Sequence, residues 1–268
     1  MGFFYSQNND FFYRDISLTG GTSVTIEDKN LDIVSLENSI SGKLEGANFR
    51  EISDLITREQ IAIIVETKSD EELTRNVLED YLNYELTEEN SSFEFTGALL
   101  SESFYQQLLF AILIAFALMS LVVFLQFRSF IPSITVIFSA FADIFMSLVV
   151  VNLLGVQLST AGIVALLMLI GYSVDTDILL ANKVLKRDGN SINNQLWTSF
   201  KTGITMTLTS IVAVLAAFLI VGPFSSILYQ IFLIMLLGLV FDILNTWITS
   251  ISIIKWYAIN KEKKKNEN

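Results

Sequence analysis

Leu167 to Arg187 reads LMLIGYSVDTDILLANKVLKR, and two carboxylates, Asp175 and Asp177, sit at the end of its apolar run. A carboxylate at the centre of a bilayer costs about 2.5 to 3.5 kcal/mol on insertion scales, so an ionisable group at membrane depth points to a functional site. The rest of the chain supports the membrane reading. Of its 268 residues 52% are hydrophobic and the mean hydropathy is +0.53, above the ~45 to 50% apolar share of soluble chains. The net charge of -11 is unevenly placed: Met1 to Ser103 holds 7 basic and 21 acidic residues, Phe104 to Asn268 holds 10 and 7. This break predicts an acidic α+β domain over 1–103, a transmembrane bundle over 104–259 and a basic tail over 260–268.

The composition also removes whole classes of chemistry. With no Cys and no His, disulfides, Cys/His zinc sites and imidazole proton transfer are excluded. The phosphate-loop, HExxH and GxSxG patterns are absent, so nucleotide hydrolysis, zinc proteolysis and elbow-serine chemistry have no support. No enzymatic activity, metal or cofactor is expected. Any energy used comes from a gradient or a partner, and the acidic half disfavours nucleic acid, which requires clustered Lys and Arg.

Within the first domain, Phe12 to Ile26 reads as strand around a Gly20-Gly21 turn, with Val24 and Ile26 alternating against Ser23 and Thr25. Leu31 to Leu44 is helical, with Ile33, Leu36, Ile40 and Leu44 on one face. Strands follow at Ala47 to Ile52 and Gln60 to Glu66, and Ser69 to Glu72 forms a capping box that opens a second helix. A last strand spans Ser92 to Leu99. The order β-α-β-β-α-β is that of the ferredoxin-like split unit. At the start, Met1-Gly2-Phe3-Phe4-Tyr5-Ser6 matches the myristoylation pattern, although MGFFY reads better as the end of a preceding span.

Five apolar segments come next, about Leu108–Leu125, Ile134–Leu154, Leu158–Leu180, Gly203–Val221 and Ile227–Ile254, each with the ~17 to 25 residues that cross a bilayer. Arg128, Lys183, Lys186, Arg187, Lys201, Lys255 and the lysines of the tail all fall on one side. The positive-inside rule then places 1–103 outside the cell and the tail in the cytosol, the chain being multi-pass in the cell membrane. The tail's lysines meet membrane lipid chiefly as a topology anchor.

Three spans carry polar stripes: Thr135, Ser139, Asp143 and Ser147; Thr198, Thr202, Thr205 and Thr209; and Gly238, Asp242, Asn245 and Thr249. Lipid offers no hydrogen bonds, so the stripes are expected to face other helices or water. At ~1.5 Å per residue Asp143 lies about 14 to 17 Å from the cytosolic start of its helix, near the midplane. Asp175 and Asp177 lie nearer the cytosol, and Asp242 on the inner half. No Lys or Arg falls inside these spans, so the carboxyls are either protonated or matched by a cation or another chain.

These residues resemble the SecF family, the membrane subunit that works with SecD in protein export, and within it the archaeal branch. The resemblance rests on Asp15-Ile-Ser-Leu-Thr-Gly20-Gly21-Thr22, Thr96-Gly97-Ala98 through Gln107, Ala142-Asp143, Ile170-Gly171-Tyr172-Ser173-Val174-Asp175-Thr176-Asp177, and Phe241-Asp242 with Asn245-Thr246-Trp247. It implies an RND-type bundle of six spans with an extracytoplasmic domain after the first; five are present, so one more is expected ahead of MGFFY. It implies a homologous SecD-like partner and assistance to unfolded precursors at the Sec translocation channel, linked in bacteria to the proton gradient. Asp143 matches the family's aspartate in the third span, and Gly171 to Asp177 its signature in the fourth. Bacterial members carry Asn-Asp where this chain has Asp175-Thr176, so their proton route does not transfer residue for residue.

Three other readings compete. An intramembrane aspartyl protease could use two aspartates on different spans, but Gly238-x-x-x-Asp242 is not its G-x-G-D, and the only prolines are Pro132 and Pro223. An RND-type exporter of small molecules or lipids would carry twice the spans. A scaffold subunit without ion coupling has the same sequence features as a coupled one.

Overall fold

The computed structural model describes residues 12–29, 31–53, 57, 59–185, 191–221 and 225–266. The Met1–Ser6 pattern, Lys186, Arg187 and residues 222–224, between the fourth and fifth apolar segments, lie outside the described residues, as do the tail's side chains from 264 onward.

The first domain runs α1 (Ile16–Thr19), β1 (Gly21–Ile26), α2 (Ile33–Ile40), β2 (Asn48–Ser53), β3 (Gln60–Thr67), α3 (Glu71–Leu82) and β4 (Ser91–Thr96). Its sheet order is β2-β3-β1-β4 with every pairing antiparallel, the arrangement of the split βαβ unit. Alternation along each strand sorts the side chains by face. Val24, Ile26, Ile63 and Val65 point to the helix side, where they pack with Leu36, Ile40, Leu44 and Leu78.

Two local readings change. Asp15 to Thr19 is a helical turn, not strand, because the Asp15 carboxylate accepts from Ile16 N at 2.5 Å and Gly20, at φ +82°, ends the turn. The N-cap of α3 is Asp70 rather than Ser69: its Oδ1 accepts from Leu73 N at 2.8 Å. The Ser69 hydroxyl is already engaged, accepting from Glu45 N at 3.1 Å.

The membrane part comprises α4 (Ala98–Phe127), α5 (Phe130–Leu153), α6 (Thr160–Leu185), α7 (Ile192–Val221) and α8 (Ser226–Leu244), which continues through a π-helical turn (Asn245–Ser250) into α9 (Ile251–Asn266). Among the described residues, five helical segments are long and apolar enough to cross a membrane. The apolar window of α6 is 56% buried against 6% for α4 and α7, so α6 is the central helix and the other two lie at the periphery. Small residues permit the close approaches. A Cβ on Gly238 would lie 2.2 Å from Leu169 Cδ1, and one on Gly203 2.4 Å from Trp247 Cζ2.

The domain is fastened to the bundle at several points. Leu158, at the turn between α5 and α6, forms a parallel bridge with Arg14, with Leu158 N donating to Tyr13 O at 2.6 Å and Asp15 N to Leu158 O at 3.0 Å. Phe12 meets the edge of Tyr105, and Phe12 and Leu18 belong to the apolar core built by Ile163, Leu166, Leu169 and Ile234. Gly20 and Gly21 close the joint. A Cβ on Gly20 would sit 2.5 Å from Ala98 Cα, at the first residue of α4, and one on Gly21 2.2 Å from the Thr67 carbonyl oxygen.

Candidate intramembrane carboxyl site

The stripe on α5 faces inward as the spacing predicts: Thr135, Ser139, Asp143 and Ser147 are all buried. The α7 stripe does not. Thr198, Thr205 and Thr209 are exposed and Thr202 half-buried, and each hydroxyl donates to a carbonyl of its own helix, as Thr205 does to Lys201 O at 2.8 Å. That bond satisfies a threonine without any neighbour. The inward face of α7 is Leu196, Ser199, Gly203 and Thr207.

On the last span, Asp242, Asn245, Thr246 and Ser250 are buried, while Thr249 is only half-buried. Asn245 and Thr246, at i+3 and i+4 from Asp242, share its face, and the π turn that begins at Asn245 is a geometry frequent at functional sites.

Asp143, Asp177 and Asp242 come together among α5, α6 and α8, at 0%, 0% and 1% exposure, and within electrostatic reach of one another. Asp143 is fully engaged: Oδ2 accepts from Ser173 Oγ at 2.5 Å and Oδ1 from Asn245 Nδ2 at 2.6 Å. Asp242 Oδ1 accepts from Thr246 Oγ1 at 3.3 Å. The hydroxyls of Ser139, Thr246 and Ser250 stand beside Asp177, and those of Ser173 and Thr246 beside Asp242. No salt bridge joins these carboxyls to a basic residue among those described. A buried carboxylate without a counter-ion is costly, so uncompensated negative charge on this cluster is disfavoured.

Asp177 is thus in the same cluster as Asp143, not at a separate station toward the cytosol. Asp175 is elsewhere. It is exposed on α6 together with Gly171, Tyr172, Met168 and Val164, which share one face at helical spacing. A Cβ on Gly171 would meet nothing within 4 Å. Of the signature residues, Ser173 alone enters the cluster by a direct hydrogen bond. Thr246 and Ser250 follow Asp242 at i+4 spacing, as Ser147 follows Asp143, and share its inward face. Gln230 was missed: its side chain accepts from Ser159 N at 3.0 Å and bonds Ser159 Oγ and the Gln157 carbonyl, tying the domain-side end of α8 to that of α6. Its signal is a lone amide in the run SSILYQIFLIM.

A family model described as protein export membrane protein SecD/SecF, C-terminal, matches residues 77–260. The SecF protein-export membrane protein of Methanocaldococcus jannaschii is 38% identical over 258 residues, covering 94% of this chain and 89% of that one. That of Methanothermobacter thermautotrophicus is 35% identical over 91% of this chain and 84% of its own, and that of Pyrococcus furiosus 32% identical over 97% and 86%. The crystal structure of SecDF, a translocon-associated membrane protein from Thermus thermophilus, aligns with a TM-score of 0.75 at 18% identity. It covers 96% of this chain, which spans only 35% of the SecDF chain. The identities and coverage establish that this multi-pass membrane chain belongs to the SecF branch of the SecD/SecF family of protein-export membrane proteins.

Proposed function

We propose that this chain is an auxiliary subunit of the Sec protein translocase. It assembles with a SecD-like partner beside the translocation channel and couples a proton gradient to the handling of unfolded precursors outside the cell. Residues 1–103 are extracytoplasmic, 104–259 the bundle and 260–268 a cytosolic tail, in keeping with the one-sided placement of Lys and Arg.

The observation that carries the coupling is the cluster of Asp143, Asp177 and Asp242, buried without a basic partner among the described residues. The hydroxyls of Ser139, Thr246 and Ser250 beside Asp177, and of Ser173 and Thr246 beside Asp242, can donate to a carboxylate and accept from a carboxyl. The site thus accommodates a proton that comes and goes. The proton changes the repulsion among three carboxyls, which sit on α5, α6 and α8; the domain-side ends of α6 and α8 are joined through Gln230, and the domain itself is bonded to Leu158. Change at the cluster thereby reaches the domain through packed helices.

The partner reading rests on the exposed face of α6. At ~1.5 Å per residue Asp175 lies about 15 Å from the Leu185 end of the helix, well within a bilayer, where lipid cannot solvate it. Gly171, one turn away, leaves room for another helix. The chain has no cysteine, so single cysteines at Met168 and Gly171 report contacts cleanly. Purified with the SecD-like chain from native membranes, these variants should cross-link to it, while a cysteine at Leu219, exposed on α7, should not. Failure of the SecD-like chain to accompany this one would refute the subunit reading.

A further inference from the structure

The hairpin of α4 and α5 holds a pocket of about 260 Å³, apolar throughout and lined by Phe116, Ile134, Ile137, Phe138 and Phe141. Ile134, Phe138 and Phe141 are exposed, on the face of α5 that Thr135, Ser139 and Asp143 do not occupy. The spacing sets its depth. Phe116 precedes Arg128 by twelve residues and Phe141 follows Ser129 by twelve, so both lie ~18 Å from the turn between the helices, and Ile134 lies ~8 Å from it. Half of the ~30 Å hydrocarbon core is ~15 Å. The pocket therefore occupies one leaflet, and Phe141, edge-on to Phe116 at 6.4 Å between ring centroids, closes it near the midplane.

These dimensions decide what fits. Spread over the ~10 Å between those depths, the volume leaves a cross-section of ~26 Å², against ~80 Å² for the ~10 Å cylinder of a helix. A helix of another chain would lie over the pocket without filling it, whereas a single hydrocarbon chain enters it and supplies the dispersion contacts its aromatic walls otherwise lack. The end at the turn is cationic. Arg128 is exposed there and has no ion pair among the described residues. Ser129 accepts from the Tyr257 hydroxyl at 3.3 Å, which brings α9 to the turn, and Lys261, one helical turn beyond Tyr257, is exposed as well. Glu262, the next residue, projects ~100° further round that helix. The only carboxyl from Phe104 to Leu154 is the buried Asp143, so nothing on the hairpin repels an anion at the turn.

We propose that the α4–α5 pocket binds one chain of an anionic lipid whose phosphate is held at the turn by Arg128, with Lys261 as a second cation. The ligand is a lipid and not a free phosphate, because the pocket offers a small anion nothing and its depth matches one leaflet. The proposal rests on the chain's crossing the membrane and is independent of the function proposed above.

The test is native mass spectrometry of the full chain, purified in detergent from native membranes with the chains that accompany it and titrated with phosphatidylglycerol, phosphatidylcholine or glycerol phosphate. The wild-type complex should retain phosphatidylglycerol over phosphatidylcholine at least fivefold and should not retain glycerol phosphate. Arg128→Gln should lose that preference, and Ile134→Trp, which fills the pocket from an exposed position, should retain one lipid fewer of either kind. Phe138→Ala removes a wall of the pocket from another exposed position and should lower retention of both lipids, which keeps the pocket testable if the tryptophan variant does not fold. Lys201→Gln, on α7 outside the pocket, should behave as wild type. Equal retention of the two lipids by the wild type, an unchanged preference in Arg128→Gln, wild-type retention in both Ile134→Trp and Phe138→Ala, equal loss in Lys201→Gln and Arg128→Gln, or retention of glycerol phosphate as strong as that of the lipid would overturn the proposal.

Discussion

Replacing Gly20 by alanine tests how the domain is joined to the membrane. Gly20 has φ +82° and ψ 159°, a region open essentially to glycine alone, where any other residue costs ~1 to 3 kcal/mol. The added methyl would also lie 2.5 and 2.7 Å from Ala98 Cα and N and 3.0 Å from the Thr96 carbonyl oxygen. All three are backbone atoms, which no side-chain rotation can move, and overpacking of this kind costs a further ~1 to 3 kcal/mol. The combined ~2 to 6 kcal/mol is a large part of the ~5 to 15 kcal/mol that holds a domain folded. Gly97→Ala is the control: Gly97 has φ -65° and ψ 138°, and its added methyl meets nothing within 4 Å, so it should cost under ~0.5 kcal/mol. Amide hydrogen exchange across the β1–β4 ladder, where Gly21 pairs with Thr96, reads the difference. Gly20→Ala should lose protection there and Gly97→Ala should keep it. Equal protection in wild type and Gly20→Ala, or equal loss in both variants, would refute the close-approach argument.

Ser173→Ala removes the donor to Asp143 Oδ2 and should cost ~1 to 3 kcal/mol in detergent unfolding, whereas Thr205→Val, which loses only a bond to its own helix, should change stability by under ~0.5 kcal/mol. Gly203→Ala should push Trp247 from its half-buried place against α7 and red-shift fluorescence, since Trp197 and Trp256 are already exposed. Glu66 is raised by burial, so the folded domain binds its proton where the unfolded chain has released it. Its contribution is full below the unfolded value and falls as pH rises through the folded one. Glu66→Gln should therefore flatten that part of the fall in domain stability on going from acid to neutral pH, and an unchanged slope would contradict it.

The sequence carried the large features because they rest on strong periodicities. Alternation and capping order the α+β domain, and long apolar runs mark the five spans. Its errors have local causes. Asp15 to Thr19 holds alternating apolar residues, yet a capping carboxylate and a left-handed glycine turn it helical. The threonines of α7 share a face, but threonine can bond its own backbone, so a stripe of hydroxyls does not announce a neighbour. An aspartate has no such escape, and Asp143 and Asp242 are both inside. Asp175 and Asp177 are two residues apart on a helix and therefore point in different directions. The sequence offered no means of choosing between them before the neighbours of α6 were placed. The π turn itself has no signal in a 3.6-residue period, whereas Thr246 and Ser250 lie at i+4 spacing from Asp242 and were legible on its face.

The coupling proposal is tested most directly by the rate of precursor export measured across a range of imposed proton gradients, in membranes carrying wild-type chain, Asp143→Asn or Asp242→Asn with the SecD-like partner. Asparagine keeps the size and one acceptor oxygen, carries a donor in place of the other, and cannot ionise. The account predicts that both variants assemble, retain the export seen without a gradient and lose the gradient-dependent increase. Export by both variants at the wild-type rate at every gradient would contradict it and leave a scaffold whose carboxyls are permanently protonated.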